Sequence, residues 1–308
     1  MDSNIIKNSV SGVLVIDKPV GLTSHDVVQI VRRGTGIRRV GHTGTLDPRA
    51  SGVLVILLGP AVRLSQHVSA SDKRYQATIR LGSSTSTYDS EGPVTSSTTN
   101  IDATEEQFID LLENYKGEIE QTPPPYSAVR VRGKRAYDRA RAGETFQLDP
   151  RKINVYSLDL LEWAPPEVVI DVYCSSGTYV RSLAHSLGED LGIGAHLVGL
   201  RRTKSGQFTL RDAVSLRRLR DAFEVGDWAQ YLIPAAEALS DWPILELDGE
   251  KVVLVRNGHK LPVSEVGDFE VNWVRAVSEQ GDLVALMERI EHREQEYWQP
   301  RKVFFTTQ

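Results

Sequence analysis

The loop Gly41-His42-Thr43-Gly44-Thr45-Leu46-Asp47-Pro48 holds the most chemically suggestive arrangement in the chain. Its two glycines permit backbone conformations closed to other residues. Pro48 pushes Asp47 toward an extended conformation. An aspartate held this way beside an apolar run offers a rigidly presented carboxylate, able to act as nucleophile or base. The same residues also fit a turn in which Asp47 bonds its own backbone, and this window alone leaves both readings open. No Gly-Lys-Ser/Thr follows, so the loop is not of the phosphate-cradling P-loop type. His185 and His196, with Glu189 and Asp190, have metal-ligand chemistry, but they flank an amphipathic stretch and a glycine turn, where a solvated face is the expectation. Cys174 reads as a small core residue rather than a nucleophile. Neither HExxH nor GxSxG occurs in the sequence. No metal site is expected from these residues.

The elements around these residues are legible in outline. Gly12 to Asp17 (GVLVID) reads as a strand, stopped by Lys18-Pro19 and Gly21. Thr23 stands three residues before Asp26, the spacing of a capping box. A helix follows through Val27, Val28, Ile30 and Val31, with Arg32 and Arg33 in its last turn and Gly34 and Gly36 ending it. Residues 38–52 predict a loop, 53–58 a buried strand, 75–81 a strand, 82–104 a loop and 105–115 a helix. Residues 153–163 and 168–173 read as strands. Val180, Leu183, Ala184, Leu187 and Leu191 share one helical face, predicting a helix over 178–191. From Ile244 onward, β runs at 251–256, 271–277, 283–287 and 302–306 predict a small β-rich domain.

A chain of 308 residues fits about two domains. Its hydrophobic share of 40% and charged share of 25% exclude a wholly disordered or fibrous protein. One cysteine excludes an internal disulfide framework. The most apolar run, GVLVILLGPAV, is too short to span a bilayer. The N-terminal residues lack a basic segment followed by a long apolar one, so no signal peptide and a cytoplasmic setting are expected.

The net charge of −5 argues at first against a nucleic-acid partner. Its distribution argues the reverse. Residues 1–63, 122–143 and 199–220 carry +4, +5 and +6, masked by −8 over residues 81–120 and −4 over residues 244–308. Phosphate backbones respond to local cation density. The stretch 122–143 (TPPPYSAVRVRGKRAYDRARAG) opens on three prolines and interleaves six cations with Tyr126 and Tyr137. It reads as an exposed hairpin or arm. Charge runs are commonly just solvated faces; three such segments leave RNA or DNA an open alternative.

Taken together, these pieces resemble the bacterial tRNA pseudouridine synthase B type, the TruB family. The resemblance lies in Ile16-Asp17-Lys18-Pro19 with Gly21-Leu22-Thr23-Ser24, GHTGTLDP at 41–48 with Ser51-Gly52, Asp72-Lys73-Arg74-Tyr75, Leu81-Gly82 and Pro124-Pro125-Tyr126-Ser127-Ala128. It continues in Gly133-Lys134, CSSGTYVR at 174–181, Gly194-Ala195-His196-Leu197 and Leu200-Arg201-Arg202. It covers residues 12–205 in order.

The resemblance implies an α+β fold with a mixed, mainly antiparallel sheet. It implies a catalytic domain over residues 1–240, with a basic thumb insertion at about 122–150, and a small PUA-like RNA-binding domain over 244–308. The implied activity is isomerisation of the T-loop uridine at tRNA position 55, by base flipping, without cofactor or guide RNA, in a monomer. Asp47 would be the catalytic carboxylate, Tyr75 would pack on the uracil and Arg181 would pair with Asp47. Tyr179 and Leu200 would line the uridine pocket, and His42 would contact the flipped-out nucleotide. Attack on ribose C1′, attack on base C6 and proton abstraction at C2′ are all open to Asp47. A guide-RNA-dependent synthase, a noncatalytic RNA-binding protein and a two-carboxylate glycoside hydrolase using Asp17 are the alternatives.

Overall fold

The computed structural model describes residues 10–304 apart from 128 and 132. Lys7 and Arg132 of the basic segments, and residues 305–306 of the expected last strand, lie outside the described residues. The chain divides into two compact units. One comprises the residues up to Pro48, Gly52–Ser69 and Gly206 onward; the other comprises Arg49–Ser51 and Ala70–Ser205.

In the first unit, the strand Gly12–Lys18 is buried on both faces, with Val13, Leu14, Val15 and Ile16 at most 1% exposed. This is why its sequence is a continuous apolar run rather than an alternation. It pairs antiparallel with Gly52–Leu58, from Gly12 opposite Leu58 to Lys18 opposite Gly52, and parallel with Val214–Ser215. The helix Ser24–Thr35 begins in the expected capping box of Thr23 and Asp26 and ends on Gly36 at φ 71°. Residues 38–52 are not all loop. Val40–His42 forms a strand against Ile56–Leu58, too short for any periodicity to announce it.

The C-terminal part of this unit is a five-stranded sheet in the order Ile244–Leu247, Trp273–Ser278, Leu283–His292, Gln295–Val303, Leu261–Pro262. Its first pair is parallel and the rest are antiparallel. The expected β run at 251–256 is instead the α-helix Gly249–Arg256. Asp248 caps it by accepting from the Lys251 N–H at 2.9 Å. Val252 and Val255, three apart, are buried, while Val253 and Leu254 are 57% and 42% exposed. Burial of one helical face overrides the β preference of the valines.

In the second unit, five antiparallel strands run in the order Ala195–Ser205, Lys73–Leu81, Glu167–Cys174, Arg151–Ala164, Gly117–Gln121. The helices Glu105–Glu113 and Val180–Asp190 contribute Phe108, Leu112, Leu183, Ala184 and Leu187 to the core against this sheet. The stretch 82–104, expected as loop, contains a small hairpin of Ser83–Thr85 and Val94–Ser97. The expected arm is a two-residue-per-strand hairpin, Arg130–Val131 with Lys134–Arg135, turned on Gly133 at φ 85° and followed by the helix Ala136–Arg141. Mixed, mainly antiparallel sheets with helices bear out the α+β expectation.

Candidate active site

The GHTGTLDP loop belongs to the first unit and is fixed on both sides of Asp47. His42 ends a strand, and the Thr43 N–H donates to the Val55 carbonyl at 3.1 Å. Gly44 takes φ 122°, a conformation that other residues rarely adopt. Leu46 is buried, and Ser24 serves both its backbone groups: the Leu46 N–H donates to Ser24 Oγ at 2.8 Å, and Ser24 Oγ donates to the Leu46 carbonyl at 3.0 Å. One residue beyond Asp47, the Pro48 carbonyl accepts from the Gly21 N–H at 2.8 Å. The turn carrying Gly21 is itself tied by Lys18, whose fully buried ammonium donates to the carbonyls of Pro19 (2.9 Å) and Leu22 (2.6 Å). Asp47 is half-buried between these clamps. His42 is half-buried as well.

The other expected site residues belong to the second unit. Tyr75 lies in the strand Lys73–Leu81 opposite Arg202, and Leu200 lies opposite Ala77. Residues opposite one another, and residues two apart, share a face. Tyr75 and Leu200 are therefore diagonal neighbours on one face, both half-buried and both packed on the core. Tyr179 is the N-cap of the helix Val180–Asp190 and offers it no side-chain cap. Gln121 holds Tyr179 in place: the Tyr179 N–H donates to Gln121 Oε1 at 2.8 Å, and Gln121 Nε2 donates to the Tyr179 carbonyl at 3.0 Å.

Arg181 follows in the first turn of that helix. Its Nη1 donates to Asp89 Oδ2 at 3.0 Å and its Nη2 to the Tyr126 carbonyl at 3.2 Å. Next to it, Ser182 Oγ donates to the Thr122 carbonyl at 2.8 Å. Three positions near this helix start, Tyr179, Arg181 and Ser182, thus bond the root of the basic arm or the strand leading into it. Asp89 and Gln121 were not singled out by sequence reasoning. Asp89 sits in the Ser/Thr/Gly-rich stretch 82–104 with two other acids, Glu91 and Asp102, and nothing in its spacing distinguishes it.

The histidines expected on a solvated face are not solvated. His196 is 6% exposed and its Nδ1 lies 2.8 Å from the Ser83 carbonyl. His185 is half-buried and stacks on Tyr88. Cys174 is fully buried, as expected of a core residue, and burial pushes its thiol up to about 11. Burial likewise lowers its strand neighbour Lys73 to about 8, with Arg202 acting in the same direction. Among the described residues, no group of three His, Cys, Asp or Glu side chains is placed to hold a metal ion. Among them, too, no helix is long and apolar enough to cross a membrane.

The arm carries its charge unevenly. Lys134 and Arg141 are exposed, and Arg141 lies over the Tyr137 ring at 4.5 Å. Tyr137 meets Tyr126 edge-on at 6.2 Å. Arg139 has a side chain only 17% exposed and pairs with Glu144 at 3.4 Å.

Residues 32–180 match the family model for the TruB family pseudouridylate synthase N-terminal domain, and residues 181–240 match that for the tRNA pseudouridylate synthase B C-terminal domain. The chain is 43% identical over 278 residues to the tRNA pseudouridine synthase B of Solibacter usitatus, covering 90% of this chain and 95% of that protein. It is 38% identical over 286 residues to that of Pseudomonas aeruginosa strain UCBPP-PA14, covering 92% and 93%. Among solved structures, a chain of a Cbf5–Nop10–Gar1 complex matches at TM-score 0.77 and 28% identity, over 98% of this chain and 87% of that one. A chain of an H/ACA RNP bound to a substrate RNA containing 2′-deoxyuridine matches at TM-score 0.75 and 27% identity, over 98% and 86%.

Proposed function

The chain belongs to the TruB family of pseudouridylate synthases, and we propose that it isomerises the T-loop uridine of tRNA at position 55 to pseudouridine, without a guide RNA or a cofactor. The observation that carries this reading is identity of 43% with a tRNA pseudouridine synthase B across 90% of the chain, in which Asp47 stands in a loop clamped on both sides.

The reaction is an isomerisation. The C1′–N1 bond breaks, a C1′–C5 bond forms, a proton leaves C5 and one is gained at N1. Asp47 is the catalytic carboxylate. Arg181 pairs with it. The target uridine is extruded from its loop, which costs unstacking energy. Tyr75 recovers part of that cost by packing on the uracil, with Tyr179 and Leu200 lining the pocket and His42 contacting the flipped-out nucleotide. A clamped loop suits this chemistry, because a carboxylate held near attack geometry has already lost the freedom that a free one would lose on reaction.

Residues 1–240 form the catalytic domain, residues 122–150 its thumb, and residues 244–308 a PUA-like RNA-binding domain. The structural neighbours come from complexes with further proteins. The exposed cations of the arm and its exposed Tyr137 support a grip on RNA that needs no guide. The enzyme works as a cytoplasmic monomer. Incubating the purified chain with a tRNA transcript, and no other RNA or protein, tests the reading by mapping pseudouridine. Product confined to the T-loop uridine is expected; no product, or product only with an added guide RNA, overturns it.

A further inference from the structure

The geometry points to Tyr88 and His185 as a positioning pair that holds Asp89, and through it Arg181, in the orientation used in catalysis. This rests on the function proposed above and adds two residues to it.

Tyr88 adopts φ 64°, a left-handed conformation that bulky residues avoid unless their surroundings impose it. In extended chain, neighbouring side chains point to opposite sides. Here the left-handed turn lets two neighbours, Tyr88 and Asp89, both meet the helix Val180–Asp190. Asp89 meets it through Arg181 at 3.0 Å. Tyr88 meets it through His185, ring on ring, with centroids 3.8 Å apart and planes 9° from parallel. Arg181 and His185 are four residues apart and so stand one above the other on one face of the helix.

The remaining bonds of the loop explain why both grips are needed. Asp89 Oδ1 accepts from Thr87 Oγ1 at 2.6 Å and from the Glu91 N–H at 3.0 Å, and these bonds travel with the loop. The backbone is tied to the strand Ala195–Ser205 at one residue, Leu197, whose N–H donates to the Tyr88 carbonyl (3.0 Å) and whose carbonyl accepts from the Ser90 N–H (3.1 Å). Thr85 Oγ1 also donates to the Asp89 carbonyl (2.6 Å) and ties the loop back to the strand Ser83–Thr85. None of these bonds reaches the helix Val180–Asp190; the Asp89–Arg181 pair and the Tyr88–His185 stack do. Burial also keeps His185 below the ordinary histidine range, so the stacked ring is the neutral imidazole at neutral pH.

The test uses Tyr88→Ala, His185→Ala and Tyr88→Phe in the full chain. It reads kcat and KM on tRNA and, separately, hydrogen exchange of the Arg181 guanidinium by NMR. Tyr88→Ala and His185→Ala are expected to lower kcat about tenfold or more at unchanged KM and to speed guanidinium exchange. Tyr88→Phe keeps the stack and is expected to match the wild type in both. Wild-type kcat in Tyr88→Ala, an equal loss in Tyr88→Phe, or a loss confined to KM would overturn the assignment. Should Tyr88→Ala fail to fold, His185→Ala carries the same test without disturbing the strained residue. A wild-type chain that makes no pseudouridine would remove the proposed function; unchanged guanidinium exchange in both alanine variants would remove the positioning pair, whatever the activity.

Discussion

Arg181 and Asp89 form a close ion pair at 3.0 Å, with side chains only 13% and 14% exposed. Ninety-two positions separate them in sequence. Removing one partner of a largely buried pair leaves the other charge poorly solvated, at a cost of about 3 kcal/mol. Asp89→Ala is therefore expected to lower the unfolding free energy measured by urea titration by about that amount and to reduce kcat more than it raises KM. Unchanged stability together with full turnover would show that Asp89 neither holds nor orients the guanidinium.

The arm makes a graded prediction. Each phosphate contact contributes about 0.7–0.9 to the slope of log binding constant against log salt. Lys134→Ala and Arg141→Ala remove exposed cations and should each flatten that slope by about 1 while weakening tRNA binding. Arg139→Ala removes a cation already paired with Glu144 and should change the slope least. The reverse order in a filter-binding titration would mean that the exposed face of the arm is not the grip.

A glycine inside a helix ordinarily costs about 1 kcal/mol relative to alanine. Gly34 lies within Ser24–Thr35, yet a Cβ there would stand 2.2 Å from the Phe223 ring of the helix Leu216–Val225. Gly34→Ala is expected to destabilise the protein, and adding Phe223→Ala to relieve the clash. A rise in melting temperature for Gly34→Ala alone would contradict this packing.

Cys174 gives a pH prediction. Burial raises its pKa to about 11, so the reactive thiolate is present only as pH approaches that value. At pH 8 about one thiol in a thousand is ionised. Native protein should therefore resist iodoacetamide at pH 8, label faster as pH rises and label rapidly in urea. Fast labelling of folded protein at pH 8 would show the thiol to be exposed or activated.

Much of this molecule was readable in advance where one local rule dominates. The Thr23–Asp26 capping box formed as expected, the strand expected at 12–17 is Gly12–Lys18, and the helix expected over 178–191 is Val180–Asp190. KVVLVR at 251–256 became a helix because a tertiary core selected one of its faces, which no β scale registers. The Asp47 loop was conspicuous because glycine and proline mark the backbone directly. The groups that hold it, Ser24 through a hydroxyl and Lys18 through a buried ammonium, leave no such mark. Asp89 was hidden for the same reason: its part depends on an arginine 92 residues away.

The central claim is that the Asp47 carboxylate performs the isomerisation. It is tested most directly with tRNA transcribed from [5-³H]uridine, because forming the C1′–C5 bond releases the C5 hydrogen to water. Wild-type protein should release one tritium per tRNA, from the uridine at position 55, and Asp47→Asn should release none while binding the tRNA as tightly. Tritium release by Asp47→Asn at the wild-type rate would contradict the account.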